Sequence, residues 1–241
     1  MTPVPSSPSV LRIALLSLLF LLTTIGLRAQ RGNYNYSFYE LKKHYFGITL
    51  GYQSYGFQLH RSEDLILNPD IRTVESIRQP GFNLGFIHNY KLGRYLDFRT
   101  LFHFSFASRR LEYRSTSSEV PSLFDNQELI SLSLPFQLRY KSAPYRDKRV
   151  FATAGIKYTH HLTNNSQLRN SADLINISPI DFSVEVGAGV QFFMPYFIFS
   201  PEIKFSQGVG NILLRNEQLN RSNVLESILS RALTISLHFE G

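Results

Sequence analysis

The 241-residue chain carries 25 Lys and Arg against 18 Asp and Glu, for a net charge of +7, and has no cysteine. Without cysteine an exported chain has no disulfide framework, so its stability must come from packing or backbone pairing. The basic residues are spread along the chain rather than gathered on one face, which argues against a nucleic-acid partner.

Near the start, Arg12 precedes an uncharged run over 13–27, IALLSLLFLLTTIGL, which is followed by Arg28 and Ala29. This is the layout of a secretory signal peptide, with cleavage expected after Ala29 and Gln30 as the new first residue. The alternative is a membrane anchor, but the run falls short of the roughly 20 apolar residues that span a bilayer. Losing Arg12 and Arg28 takes the net charge from +7 to +5. Residues 30–43 then read as an N-terminal periplasmic segment and 44–241 as one barrel domain. No later run has transmembrane-helix length, so an exported chain that lives in a membrane must cross it with strands.

Eight runs alternate apolar and polar residues with the period of two that marks a strand. The first, 45–52, sets Phe46, Ile48, Leu50 and Tyr52 against Gly47, Thr49 and Gly51. Tyr55, Phe57 and Leu59 continue with shifted parity, which predicts a bulge near Ser54. The others cover 81–92, 95–108, 128–140, 150–162, 182–194, 196–208 and 233–240. Pro135 and Pro201 fall inside the fourth and seventh runs and cannot donate to a ladder, so bulges are expected there too. Connections alternate: 61–80, 109–127, 163–181 and 207–231 are long, whereas 93–94, 142–149 and 195–196 are short. In the last long connection, SNVLESILSRAL begins with a capping Ser222 and has helical spacing, predicting a short helix. Long loops at one end and short turns at the other are the arrangement of an eight-stranded antiparallel up-and-down transmembrane β-barrel of the outer-membrane type.

A lipocalin-like soluble barrel also meanders, but its apolar face points inward. Here that face is bulky and nearly unbroken, while the opposite face mixes Gly, Ser, Thr and Asn with charges, which suits the narrow lumen of eight strands. Tyr45, Tyr90, Tyr95, Tyr140 and Tyr196 fall near the short turns, where an aromatic girdle would meet headgroups; ordinary strand propensity of Tyr is the other account.

On the inward parity lie Asp97, Arg99, His103, Arg139, Lys157, Glu185, Glu202 and Lys204. Charges in a narrow lumen must pair, so these read as a structural polar network, with a proton or ion path as the sharper alternative. Lys91, Arg94, Lys141, Arg146, Lys148 and Arg149, together with Lys42 and Lys43, make the short-turn end basic. That rim could dock an acidic periplasmic partner or could simply be solvated. A lipid-modifying enzyme would need a Ser and a His near the loop-end rim, for which Ser108, His160 and His161 are the candidates. No G-x-S-x-G is present and neither an acid partner nor an oxyanion donor can be assigned. Gly187 and Gly189 lie in a strand with no helix after them, so they do not form a phosphate loop. No metal-ligand spacing is found. No cofactor, nucleic acid or small-molecule substrate is expected, and outer-membrane lipid is.

Several stretches resemble the PorT family, outer-membrane proteins of the type IX secretion system of Bacteroidota: HYFGITLGY, VESI before PGFNLGF, LDFR, LPFQLRYKS, VFATAGIKY, FSVEVGAGVQFF and FSPEIKFSQG. They follow in order over most of the mature chain, and Pro135 and Pro201 match family positions. TLFHFSF, with His103, departs where a Pro-Gly-like element is expected, and RGNYNYSFYE has no counterpart. The resemblance implies a non-enzymatic barrel in the outer membrane, required with other secretion components for export of proteases and adhesins. A lipid-modifying enzyme or a small structural barrel like OmpA or OmpX are the alternatives.

Overall fold

The structure, a computed structural model, describes residues 35–61, 71–115, 123–162, 177–213 and 225–241. The expected signal peptide and Ser222 lie outside them. A short helix, α1 (Tyr36–Glu40), precedes nine strands: β1 (His44–Arg61), β2 (Ile71–Ile77), β3 (Gln79–Lys91), β4 (Leu96–Ser115), β5 (Leu123–Lys141), β6 (Lys148–His161), β7 (Ile180–Phe193), β8 (Ile198–Gly208) and β9 (Leu225–Glu240). All pairings are antiparallel, and β1 pairs with β9 to close the sheet. β2 and β3 form one wall broken at Arg78: from Ile77↔Arg110 to Gly81↔Ala107 four steps match three on β4, which is a bulge. The result is a closed eight-walled up-and-down barrel.

Following partners once around leads from Tyr45 through Asn89, Arg99, Gln137, Gly155, Glu185, Ser206 and Ala232 back to Tyr55, ten residues further along β1. For eight strands this stagger tilts the walls about 40° from the axis. It also sets which side chains share a level inside, because neighbours in the sheet are displaced along the axis together.

Facing follows the period of two. Phe46, Ile48, Leu50, Phe82, Leu84, Phe86, Ile203 and Leu237 are exposed on the outside, while Thr49, Asn83, Asn89, Glu202 and His238 beside them in sequence are buried inside. A soluble barrel would reverse this.

Four local expectations are corrected. No bulge occurs near Ser54, because β1 keeps register from His44 to His60. Tyr55 and Phe57 instead turn inward and are buried, as is Ile228, and Ile177, Ile212 and Leu213 are buried at the same end. Ser178 N donates to Ile212 O at 2.7 Å, Ile212 N to Ile228 O at 3.0 Å, and Ile177 pairs with Leu213, so the walls of β7 and β8 run on to this end. The prolines make gaps rather than bulges. Pairing lapses between Thr100↔Phe136 and His103↔Ser133, and between Gly189↔Glu202 and Phe192↔Phe199, then resumes in the same register. The missing donor costs ladder bonds but no extra residue.

The helix expected over 222–233 is a strand from Leu225 onward, paired with β1 from Arg61↔Leu225 and sending Ile228, Ser230 and Ala232 inward. Long-range pairing overrides the local helical spacing. Finally, Tyr45 does not join the girdle: it is buried inside, while Tyr90, Tyr95, Tyr140 and Tyr196 remain exposed at the short-turn end.

Candidate functional site

Among the described residues, chemistry-bearing side chains converge in the lumen. All eight residues named for it from parity are buried there. Around the circle β4 faces β8 and β5 faces β9, so side chains from these walls meet across the bore. Arg99 of β4 donates to Glu202 of β8 at 3.0 Å, to Glu240 of β9 at 2.5 Å and through Nε to Asn89 at 3.0 Å. Arg139 of β5 donates to Asp97 at 2.8 Å, to both oxygens of Glu240 at 3.3 Å and to the Tyr45 hydroxyl. Lys141 pairs with the other oxygen of Asp97, and the Tyr45 hydroxyl donates to Asp97 at 2.9 Å. Glu202 also receives Thr153 at 2.6 Å and meets His238 Nε2 at 2.6 Å. Three cations thus face three carboxylates, and the Arg99 and Arg139 guanidiniums lie 5.7 and 5.3 Å from the Phe151 ring. Full burial of such charges is tolerable only with this degree of pairing.

A second network lies nearer the loops. Lys157 sits 3.1 Å from Glu185, which also accepts from Ser206 at 2.7 Å and from Gln137 at 2.8 Å. His103 and Lys204 line a cavity of about 10 Å³ there with Gln53, Asn83, Ser105 and Thr234. Gln53 Nε2, Asn83 Oδ1 and His103 Nε2 have no protein partner. The space suits a single water at most.

The short-turn mouth is crossed by α1. Tyr39 packs with Tyr45, Phe193 and Ile198, and Tyr36 packs against the same cluster. Tyr36 N donates to Asp147 Oδ1 at 3.3 Å, the Asn35 amide to Phe193 O at 3.2 Å and the Tyr39 hydroxyl to Met194 O at 3.2 Å. Burial, with help from a hydrogen bond to Glu40, pushes the Tyr36 hydroxyl up to about 12, so it stays protonated. Tyr39→Ala is expected to free this helix without unfolding the walls. Trypsin should then cut after Lys42 and Lys43 several-fold faster at unchanged heat-dependent gel migration, and equal cleavage rates would contradict the plug.

This geometry corrects the basic rim. Lys141 is an internal ion-pair member, and Arg149 is buried between the Tyr36 and Phe193 rings with Nε on Gln191 at 3.1 Å. Lys91 caps the helix, its Nζ reaching Tyr39 O and, at 3.2 Å, Glu40 O. Arg94, Arg146 and Lys148 remain exposed. Pairing inside the mouth consumes the rest.

Of the residues considered for lipid chemistry, Ser108 and His160 fall on the outward parity and His161 on the inward, buried one. Adjacent strand residues face opposite sides, so the two histidines cannot serve one site. No cluster of His, Asp or Glu arranged to hold a metal occurs among the described residues.

Glu240, His238, Asn89, Tyr45 and Lys141 belong to the network although sequence reasoning did not select them as its members. Their parity was the available signal: each lies an even number of residues from an inward neighbour on its strand.

Residues 29–214 match the family described as outer membrane protein beta-barrel domain. No curated protein matches the chain in sequence. Among solved structures the chain is similar to OprG from Pseudomonas aeruginosa, at 8% identity and a TM-score of 0.48 over 82% of this chain and 95% of that one. It is similar to AlkL, solved in lipid bilayers, at 8% identity and a TM-score of 0.49 over 89% of this chain and 94% of that one. The outer membrane enzyme PagL aligns at 11% identity and a TM-score of 0.40 over 79% of this chain and 97% of that one. With most of its length matched by the family, and with eight closed walls carrying apolar residues outside and paired charges inside, the chain belongs to the outer membrane protein beta-barrel domain family.

Proposed function

We propose that this protein is a non-enzymatic, integral component of type IX protein secretion, inserted in the outer membrane after cleavage behind Ala29 and needed for export of cargo such as proteases and adhesins. The observation that carries the reading is the filled lumen. Arg99–Glu202 and Arg139–Glu240 span the bore from opposite walls, and α1 crosses its mouth. A barrel so occupied offers its partners surfaces rather than a conduit. The stretches that resemble the PorT family also supply the network: LDFR brings Asp97 and Arg99, LPFQLRYKS brings Gln137, Arg139 and Lys141, and FSPEIKFSQG brings Glu202, Lys204 and Ser206. By the rule for barrels of this class the short turns face the periplasm and the long loops the exterior.

Deleting the gene in its native host is expected to leave secreted cargo in the periplasm, restored by the full-length gene on a plasmid. Normal export would remove the reading. Normal export with a leaky envelope would instead favour a structural barrel, and altered lipid acylation a lipid-modifying enzyme.

A further inference from the structure

We propose that the outer face of the mouth-crossing helix docks a periplasmic protein that presents an apolar segment flanked by acidic residues. The proposal rests on the outer-membrane family and on short turns facing the periplasm; it does not depend on the type IX reading.

α1 is fastened at both sides of the mouth. Lys91 of β3 holds its last carbonyls, while Phe193 and Met194, at the end of β7, accept from Asn35 and Tyr39. β3 and β7 are opposite walls in the closed order. The helix therefore lies across the bore. Its Tyr39 side, 7% exposed, fills the mouth, and its other side looks away from the membrane along the barrel axis.

That outer side carries Phe38 and Leu41, 83% and 87% exposed. Three residues apart, they are neighbours on one helical face. Lipid does not explain them, because the ring of walls stands between the axis and the bilayer; the exposed tyrosines of the walls at this end, Tyr90, Tyr95, Tyr140 and Tyr196, lie on the outside. Two large apolar side chains facing water at a fixed, braced site are a contact surface awaiting a partner.

Charge states the partner's chemistry. Lys42, Lys43, Arg94, Arg146 and Lys148 are exposed at this end, against Glu40. Asp147, the other acid there, is engaged by the Tyr36 amide. Arg146 has φ 55, a left-handed conformation uncommon for a residue with a side chain, at the tip of the β5–β6 turn. An apolar centre within a cationic ring favours an acidic partner and raises its rate of encounter.

The test places a photoreactive benzoylphenylalanine at position 38 of the full-length protein in intact cells of the native host. One discrete protein adduct is expected, whose crosslinked peptide contains apolar residues next to Asp or Glu. Lys42→Glu with Lys43→Glu should cut its yield about fivefold or more, while Lys42→Arg with Lys43→Arg should keep it. Arg146→Glu with Lys148→Glu, outside the helix, should act in the same direction if the first pair disturbs assembly. Heat-dependent gel migration verifies that each variant folds. Adducts to lipid or to a second copy of this chain, a protein adduct insensitive to both charge reversals, or no adduct would each overturn the proposal. Export phenotypes are scored separately, so its failure is distinguishable from failure of the secretion role.

Discussion

Glu240→Gln is expected to destabilise the folded barrel by about 3–5 kcal/mol, the cost of leaving buried cations without their partner. The Glu240 carboxylate is fully buried and takes Arg99 at 2.5 Å and Arg139 at 3.3 Å from the far walls. Gln keeps the shape and removes the charge, so three cations would face only Asp97 and Glu202 across the bore. The chain has no tryptophan, so urea unfolding in lipid vesicles is followed by far-ultraviolet circular dichroism and by gel migration. Arg99→Met combined with Glu240→Leu should cost less than the sum of the two single changes by about 1 kcal/mol or more, since each charge then leaves with a partner. Glu202 keeps His238 and Thr153, and Arg139 keeps Asp97, in that double variant. Strict additivity would show that these pairs do not interact energetically.

Gly189→Val should also weaken the barrel, by about 1–3 kcal/mol through overpacking. A Cβ at Gly189 would stand 2.4 Å from Pro201 O and 2.5 Å from the Phe151 ring. The ring could move only at the expense of its contacts with Arg99 and Arg139. The carbonyl could move only by parting β7 from β8, where Pro201 already interrupts the ladder. Gly93→Ala, at a turn where an added Cβ meets nothing within 4 Å, is the matched control and should stay within about 0.5 kcal/mol. Equal effects at the two positions would mean that the bore has slack at Phe151.

The errors of sequence reading cluster where lipid stops. Residues 109–115 and 123–127, RRLEYRS and LFDNQ, hold only Leu111, Tyr113, Leu123 and Phe124 as large apolar residues among polar ones, yet they extend β4 and β5 beyond the expected ends. Outside the bilayer a strand wall needs no continuous apolar face, and the pattern that signals strands is short and weak there. Tyr55 and Phe57 failed for a different reason: they sit on the inward parity and are buried although apolar, as Ile228 is, so apolar residues there read as a shift of parity. Lys141 and Arg149 looked like rim charges because their distance from the turns in sequence says nothing of the inward parity that draws them to Asp97 and Gln191.

The sequence by itself determined the class and the facing. Backbone groups in lipid must pair within the protein, and a period of two then sends every second residue inside, so Asp97, Arg99, Arg139, Glu185 and Glu202 could be assigned to the lumen from parity alone. Only the tertiary structure decided who meets whom. Partnership across the bore depends on the ten-residue stagger accumulated around eight pairings. No local segment contains that sum, and it brings Arg99 to Glu202 and Glu240 rather than to nearer charges on its own strand. The same holds for α1, whose five residues carry no signal of their destination until closure of the walls creates the mouth that Tyr39 fills.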